Sequence, residues 1–145
     1  MAPERELHRR DMAELFVATA QEFGHSAIFL HPNPKDRVEE LVRLAGLVRE
    51  ISGDTYFVMA TGDATWAIPN GDQMVEFSYR LADDPQGLKD EAARRVDAQL
   101  ERAAAVRRAG VLDGWALCAD YCFNTGPFLS PPLFAEHVAP FLTRL

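Results

Sequence analysis

Side chains that could bind and act on a small molecule follow three short apolar runs in the sequence. In chain order they are His31, Asn33, Asp63, Trp66, Asp120, Tyr121 and Asn124. In parallel α/β folds the ligand lies beyond the carboxyl ends of the strands, in barrels and open sheets alike. A carboxylate there can accept N–H donors, and an aromatic ring can stack on a flat ligand. If the runs are parallel strands, these residues are the candidates for a ligand site.

Alternation along the third run distinguishes Asp120 from its neighbours. Ala116, Cys118 and Asp120 would share one face of a strand, with Trp115 and Leu117 on the other. Two small residues followed by a carboxylate suit a crowded barrel interior with an acid at its mouth, whereas Trp115 and Leu117 suit packing beneath helices. The structural alternative is that Asp120 anchors a loop by accepting backbone N–H bonds.

The other candidates also have structural interpretations. Asn124 stands where simple turn chemistry would place it, and Asp63 could cap the loop that contains it. A lone histidine such as His31 is more often a hydrogen-bonded structural group than a metal ligand. Aromatic cover of a barrel rim explains Trp66 and Tyr121 nearly as well as stacking on a ligand does.

The cysteines and the remaining histidines give no sign of a metal site. Cys118 and Cys122 lack the two-residue spacing and the partner pair of a zinc knuckle, and we predict that Cys118 is a small buried residue. His8, His25 and His137 are predicted to lie on the surface. No strand is followed by a dinucleotide or P-loop glycine motif, and there is no GxSxG elbow, so neither a cofactor nor a metal is predicted.

The candidate side chains must be positioned by helices and strands, and patterns typical of the two alternate along the chain. The predicted helices span 4–23, 35–51, 73–81, 85–109 and 131–145, and the predicted strands span 26–30, 55–60 and 114–119. The first helix is predicted to bury Leu7, Met12, Leu15, Phe16, Thr19 and Phe23. The helices are long enough for parallel crossovers, which predicts one α/β domain over 1–145 whose sheet has two unpaired edges.

Composition excludes several classes of partner. The net charge of −7 argues against nucleic acid and anionic membranes, which would favour a basic face. The arginines of the long predicted helix are interleaved with acids, as on a solvated face: Arg94, Arg95, Arg102, Arg107 and Arg108. There is neither an apolar run of about 18 residues nor a signal-like N-terminus, and cysteines are few. These features predict a cytoplasmic protein.

The third strand and the segment after it resemble the uroporphyrinogen decarboxylase superfamily. The likeness is carried by the run 119–131 (ADYCFNTGPFLSP), by Phe134 and by the helix AEHVAPFLTRL. That superfamily has an aspartate at this strand end, a glycine-containing loop, a Ser-Pro helix start and a helix interrupted by proline. The stretch from Asp83 to Pro85, the long helix and AGVLDGW are also similar, so the likeness covers most of the chain.

The resemblance implies a partial (β/α)8 TIM-barrel segment, with about three parallel strands and flanking helices from the central portion of the barrel. The aspartate that the superfamily has at this strand end corresponds to Asp120, which is the candidate catalytic residue. The positions after the strands add Asp63, Trp66, Tyr121, Asn124 and His31 as candidates for binding substrate. The decarboxylases use no cofactor and hold the pyrrole N–H groups on an aspartate after an early strand. Here that position reads Leu30-His31-Pro32, which leaves Asp120 and Asp63 as the acceptors.

Three hypotheses follow for what the chain does. The first is decarboxylation of a tetrapyrrole or corrinoid-linked small molecule by the complete barrel. The second is methyl transfer, as in the superfamily members that use a corrinoid and zinc. The third is a truncated, non-catalytic module that associates through its open sheet edges, as a homo-oligomer or by completion of the barrel with another chain.

Overall fold

The computed structural model describes residues 2–31 and 37–145, which form six helices and five strands within those ranges. The helices are α1 (Ala2–Glu22), α2 (Val38–Ser52), α3 (Gly71–Asp83), α4 (Pro85–Ala109), α5 (Pro131–His137) and α6 (Ala139–Leu142). The strands are β1 (Ala27–Leu30), β2 (Phe57–Thr61), β3 (Gly114–Ala116), β4 (Cys122–Phe123) and β5 (Gly126–Pro127). The predicted loop at 32–34 and the predicted helix start at Lys35 lie outside the described residues.

The chain divides into two compact units. Unit 1 comprises Met1–Thr61 and Arg102–Ala116, and unit 2 comprises Gly62–Glu101 and Leu117–Leu145. Each unit has its own cluster of buried apolar residues. No helix in the described ranges is both long enough and apolar enough to cross a membrane.

Unit 1 is built on a parallel sheet in the order β1-β2-β3. Ile28 pairs with Val58 and Ala60 with Trp115, so β2 is the central strand. Its side chains Val58 and Ala60 are fully buried, as is Leu30 of β1. The predicted α/β class and parallel sheet are thus confirmed. Among the described residues, the outer edges of β1 and β3 pair with no further strand.

The buried face of α1 differs from the predicted one. Ala13, Val17 and Ala20 are buried, whereas Leu15 is 59% exposed and Phe23 is 72% exposed. Leu7 and Thr19 are likewise exposed, and only Met12 and Phe16 of the predicted face are half-buried. The prediction followed side-chain size, but small residues let α1 pack closely against its neighbours. Ion pairs to α2, Arg9 with Glu40 and Arg10 with Glu50, hold this orientation.

Asp113 fixes the start of β3 against β2. Its backbone N–H donates to the Val58 carbonyl at 2.8 Å, and its Oδ2 accepts from the Val58 N–H at 2.7 Å. The Arg49 guanidinium donates to the same Oδ2 and also to the Tyr56 carbonyl, at 3.0 Å. The Val58 N–H and, next, Arg49 hold the pKa of Asp113 below its ordinary value. One carboxylate therefore joins α2, β2 and β3.

The segment after β3 departs most from the predicted elements. The predicted strand 114–119 is wrong in extent, because β3 ends at Ala116. An unpredicted antiparallel hairpin, β4–β5, follows. The predicted helix 131–145 is interrupted at Val138, whose φ of −120° and ψ of −55° end α5, and α6 ends at Leu142. Pro140 follows that break, as expected of a residue without a backbone N–H.

Candidate functional site

Asp63 links the loop that follows β2 to the loop that follows β3. Its Oδ1 accepts hydrogen bonds from the Thr65 N–H at 2.8 Å and from the Thr65 hydroxyl at 2.6 Å. Its Oδ2 accepts from the Ala119 N–H at 2.9 Å. These contacts match the capping interpretation of Asp63, extended to a second loop that the sequence did not identify.

Tyr121 joins the same network through Thr65. The two hydroxyl oxygens are in direct hydrogen-bond contact, and Thr65 is 4% exposed. Because Thr65 gives its one hydroxyl proton to Asp63, the proton between the hydroxyls belongs to Tyr121. Burial raises the pKa of Tyr121; the Thr65 hydrogen bond opposes this rise and the Asp63 charge adds to it. Tyr121 is therefore a neutral donor at neutral pH, and the relay runs from Tyr121 through Thr65 to Asp63.

Trp66 lies in the wall of a cavity of about 350 Å³ within unit 2. The Arg95 guanidinium carbon lies 4.6 Å from the centre of its ring, and the Phe77 ring packs edge-on at 5.6 Å. Arg95 also donates to the Thr65 carbonyl at 3.2 Å. The Trp66 Nε1 is buried and has no acceptor within the described part of the chain. The predicted aromatic residue thus lines a cavity that a small molecule could enter.

Asp120 lies in a loop, as predicted, but β3 ends at Ala116, so the strand alternation that was predicted to orient its side chain is wrong beyond that residue. Its side chain is exposed, and Oδ1 accepts from the Cys122 N–H at 3.0 Å. Its carbonyl accepts from the Ile68 N–H at 3.0 Å. Within residues 2–31 and 37–145, no hydrogen bond reaches its Oδ2. Asp120 therefore anchors a loop by accepting backbone N–H bonds, which is the structural interpretation given for it above. Its second carboxylate oxygen can still accept a hydrogen bond from a ligand.

The exposed neighbours of Asp120 correct two further predictions. Cys118 is exposed instead of buried, and Leu117 is 47% exposed instead of packed beneath helices. Both follow from the early end of β3, beyond which side chains no longer alternate between two covered faces. Trp115, which is on the strand, packs against the unit 1 core as predicted.

Asn124 and His31 are the two candidates with the fewest contacts. Asn124 is exposed in the turn that connects β4 and β5, which matches its interpretation as a turn residue. His31 belongs to unit 1, where it is exposed after β1 and its ring lies 4.1 Å from that of Phe29. The structure thus groups Asp63, Trp66 and Tyr121 through Thr65, and gives neither Asn124 nor His31 a polar side-chain partner among the described residues.

His137 was predicted at the surface, but it is 2% exposed. Its Nδ1 has no partner in the described part of the chain, and its Nε2 lies 4.0 Å from a Glu136 carboxylate oxygen. Burial lowers the pKa of His137, against the attraction of Glu136, so the neutral form is favoured. The spacing from Phe134 and Phe141 already placed His137 on the apolar side of the C-terminal segment.

Thr65 and Arg95 were missed from the sequence as site residues. Arg95 is exposed, as the solvated arginine face predicts, but its guanidinium also stacks on Trp66 and donates to the Thr65 carbonyl, contacts that no sequence motif indicates. Thr65 carries no motif, because its role depends on contact with residues more than fifty positions away.

Comparison of the chain with protein-family models, curated proteins and solved structures found no match to any of the three.

Proposed function

We propose that this chain is a segment of a uroporphyrinogen decarboxylase-like (β/α)8 barrel that, when complete, acts on a tetrapyrrole or corrinoid-linked substrate by decarboxylation. The observation that carries the proposal is the connection of the two strand-following loops through Asp63, which accepts from Thr65 and Ala119. Loops fixed in this way after parallel strands are where such folds bind ligands. The resemblance of 119–131 and the confirmed parallel sheet support the same assignment.

Asp120 is assigned the catalytic role because its carboxylate is exposed and only Oδ1 has a hydrogen-bond donor among the described residues. Its Oδ2 is then available to accept pyrrole N–H groups. A negative charge at that position stabilises the cation formed when a pyrrole ring is protonated, and the electrons return to the ring as carbon dioxide leaves. Tyr121, whose hydroxyl proton is given to Thr65, would accept a hydrogen bond from a polar group of the same substrate.

Replacing Asp120 with asparagine should lower the rate of decarboxylation about 100-fold, the size of effect expected when one stabilising charge is removed. Asparagine keeps an oxygen that accepts from the Cys122 N–H, so the loop is preserved while the charge is lost. The measurement is carboxylate loss from uroporphyrinogen, followed chromatographically, by the complete barrel that contains the wild-type segment and by its variant. Asp54→Asn, on an exposed residue of unit 1, is the matched control.

Undiminished turnover by Asp120→Asn would contradict the role given to Asp120. Methyl transfer from methylcobalamin to a thiol, without decarboxylation, would instead assign the chain to the methyltransferase branch. Inactivity of the complete wild-type barrel in both assays would leave the assembly module as the better function.

A second candidate function, assembly through open edges, is favoured by an apolar groove in unit 1. The groove, of about 330 Å³, adjoins β1 and is lined by Leu15, Phe16 and Phe29 together with neighbouring residues. Among the described residues the outer edge of β1 is unpaired, and exposed apolar surface next to such a strand edge is typical of an interaction site.

If that surface pairs with another copy, light scattering should give a mass above the 16.2 kDa of one chain. Leu15→Glu, which places a charge in the groove, should restore the mass of one chain, whereas Glu14→Gln, on an exposed neighbour, should not. A stable wild-type monomer would exclude this candidate.

A further inference from the structure

The cavity beside Trp66 is bounded by the loop 66–70 and by residues of α3 and α4. Its volume of about 350 Å³ lies at the small end of the range found for ligand sites. It suits a compound with one ring and is too small to enclose four linked pyrroles. Its walls combine aromatic and aliphatic surface from Trp66, Phe77 and Ile68 with charged and amide side chains.

Of the two arginines that line the cavity, only one forms an ion pair with a residue that the structure describes. Arg80 forms an ion pair with Glu91 at 2.7 Å. The hydrogen bond to Glu91 raises the pKa of Arg80, and the charges of Glu91 and of the exposed Glu76 add to the rise. Arg95 makes no ion pair with any residue that the structure describes, and its hydrogen bond goes to an uncharged carbonyl. A positive charge without a carboxylate partner therefore stands at the wall of the cavity.

The stacking of Arg95 determines which of its groups remain available. The Arg95 guanidinium lies over the face of the Trp66 ring. This stacking covers one flat face of the guanidinium and leaves the N–H donors around its edge. One of those donors reaches the Thr65 carbonyl. The remaining fork matches the two oxygens of a carboxylate.

We propose that this cavity binds a small planar carboxylic acid, with Arg95 holding the carboxylate and Trp66 and Phe77 packing against the ring. The site would take its ligand whether or not the chain decarboxylates a larger substrate, so the two proposals stand or fall separately.

Isothermal titration calorimetry of the 145-residue chain with benzoate tests the proposal. Benzamide, which has the same shape without the charge, serves as the comparison ligand. We expect saturable benzoate binding, with benzamide weaker by about tenfold or more, since charge-assisted hydrogen bonds are the stronger kind. Arg95→Gln should weaken benzoate binding by a similar factor and remove the preference over benzamide. Arg94→Gln, an identical charge change on the adjacent exposed residue, should leave both affinities unchanged.

Several results would overturn the proposal. They are unsaturable benzoate binding to the wild-type chain, equal affinity for benzoate and benzamide, and benzoate affinity unaltered by Arg95→Gln. Circular dichroism of each variant establishes that it is folded. If Arg95→Gln is not folded, the benzoate and benzamide affinities of the wild-type chain decide the question, together with Arg95→Lys, which keeps the charge and loses the fork.

Discussion

Replacing Asp63 with alanine should lower the free energy of unfolding of unit 2 by about 3 kcal/mol, the scale expected when a charged acceptor is lost and its donors stay buried. The substitution removes the acceptor for the Thr65 N–H, the Thr65 hydroxyl and the Ala119 N–H. Urea unfolding followed by tryptophan fluorescence measures the effect. In a Trp115→Phe background the signal comes from Trp66, which belongs to unit 2.

Two further variants identify the cause. Asp63→Asn keeps an oxygen for Thr65 but presents an NH2 group to the Ala119 N–H. Its free energy of unfolding should therefore lie between those of Asp63→Ala and the wild-type chain. Asp72→Ala, on α3, removes an exposed carboxylate and should change the unfolding midpoint little. An Asp63→Ala midpoint equal to that of the wild-type chain would show that the two loops are held by other contacts.

The second large effect is expected at Asp113. Alanine there leaves the Val58 N–H, on a fully buried residue, without its acceptor and removes the partner of Arg49. We expect a loss of about 2 kcal/mol in unit 1, because an unsatisfied buried donor costs that much. Trp115 fluorescence in a Trp66→Phe background follows unit 1, and Asp113→Asn, which retains an acceptor oxygen, should be less destabilising.

The Asp113 contribution should also depend on pH. Its pKa is lowered in the folded chain, chiefly by the Val58 hydrogen bond and then by Arg49, so the unfolded chain binds the proton more readily. The stabilisation is therefore complete above the unfolded pKa of about 3.9 and is lost as the pH falls through the folded value. The stability difference between the wild-type chain and Asp113→Asn should narrow below about pH 4. A difference that stays constant there would contradict the assigned cause.

Much of the fold could be predicted because local chemistry sets the ends of its elements. Gly24, Gly53 and Gly110 follow α1, α2 and α4 with φ of 63°, 58° and 64°, a conformation that glycine adopts without strain. Pro85 begins α4 at the favoured first position. The strands β1 and β2 stand out as short apolar runs between these signals.

The rest depends on contacts between distant residues. Periodicity located the helix α1 but not its buried face, because close packing on α2 selected Ala13 and Ala20 over larger side chains. The early end of β3 has no local signal, so Cys118 was placed on a strand that had already ended, and Asp120 was oriented by the alternation of that strand. Residue type identified Asp63, Trp66 and Tyr121 as candidates, but Thr65 and Arg95, which connect them, acquire their roles only in the folded chain.

The exposure of Cys118 and Cys122 has a practical consequence for the oligomer measurement. Both thiols are free and accessible, and they flank Asp120 in the sequence. Accessible thiols oxidise readily once they ionise, and a disulfide between two chains would double the apparent mass without any pairing of strands. Light scattering in the presence of a reductant, or on a chain with both cysteines replaced by serine, separates covalent dimers from association through the sheet edge.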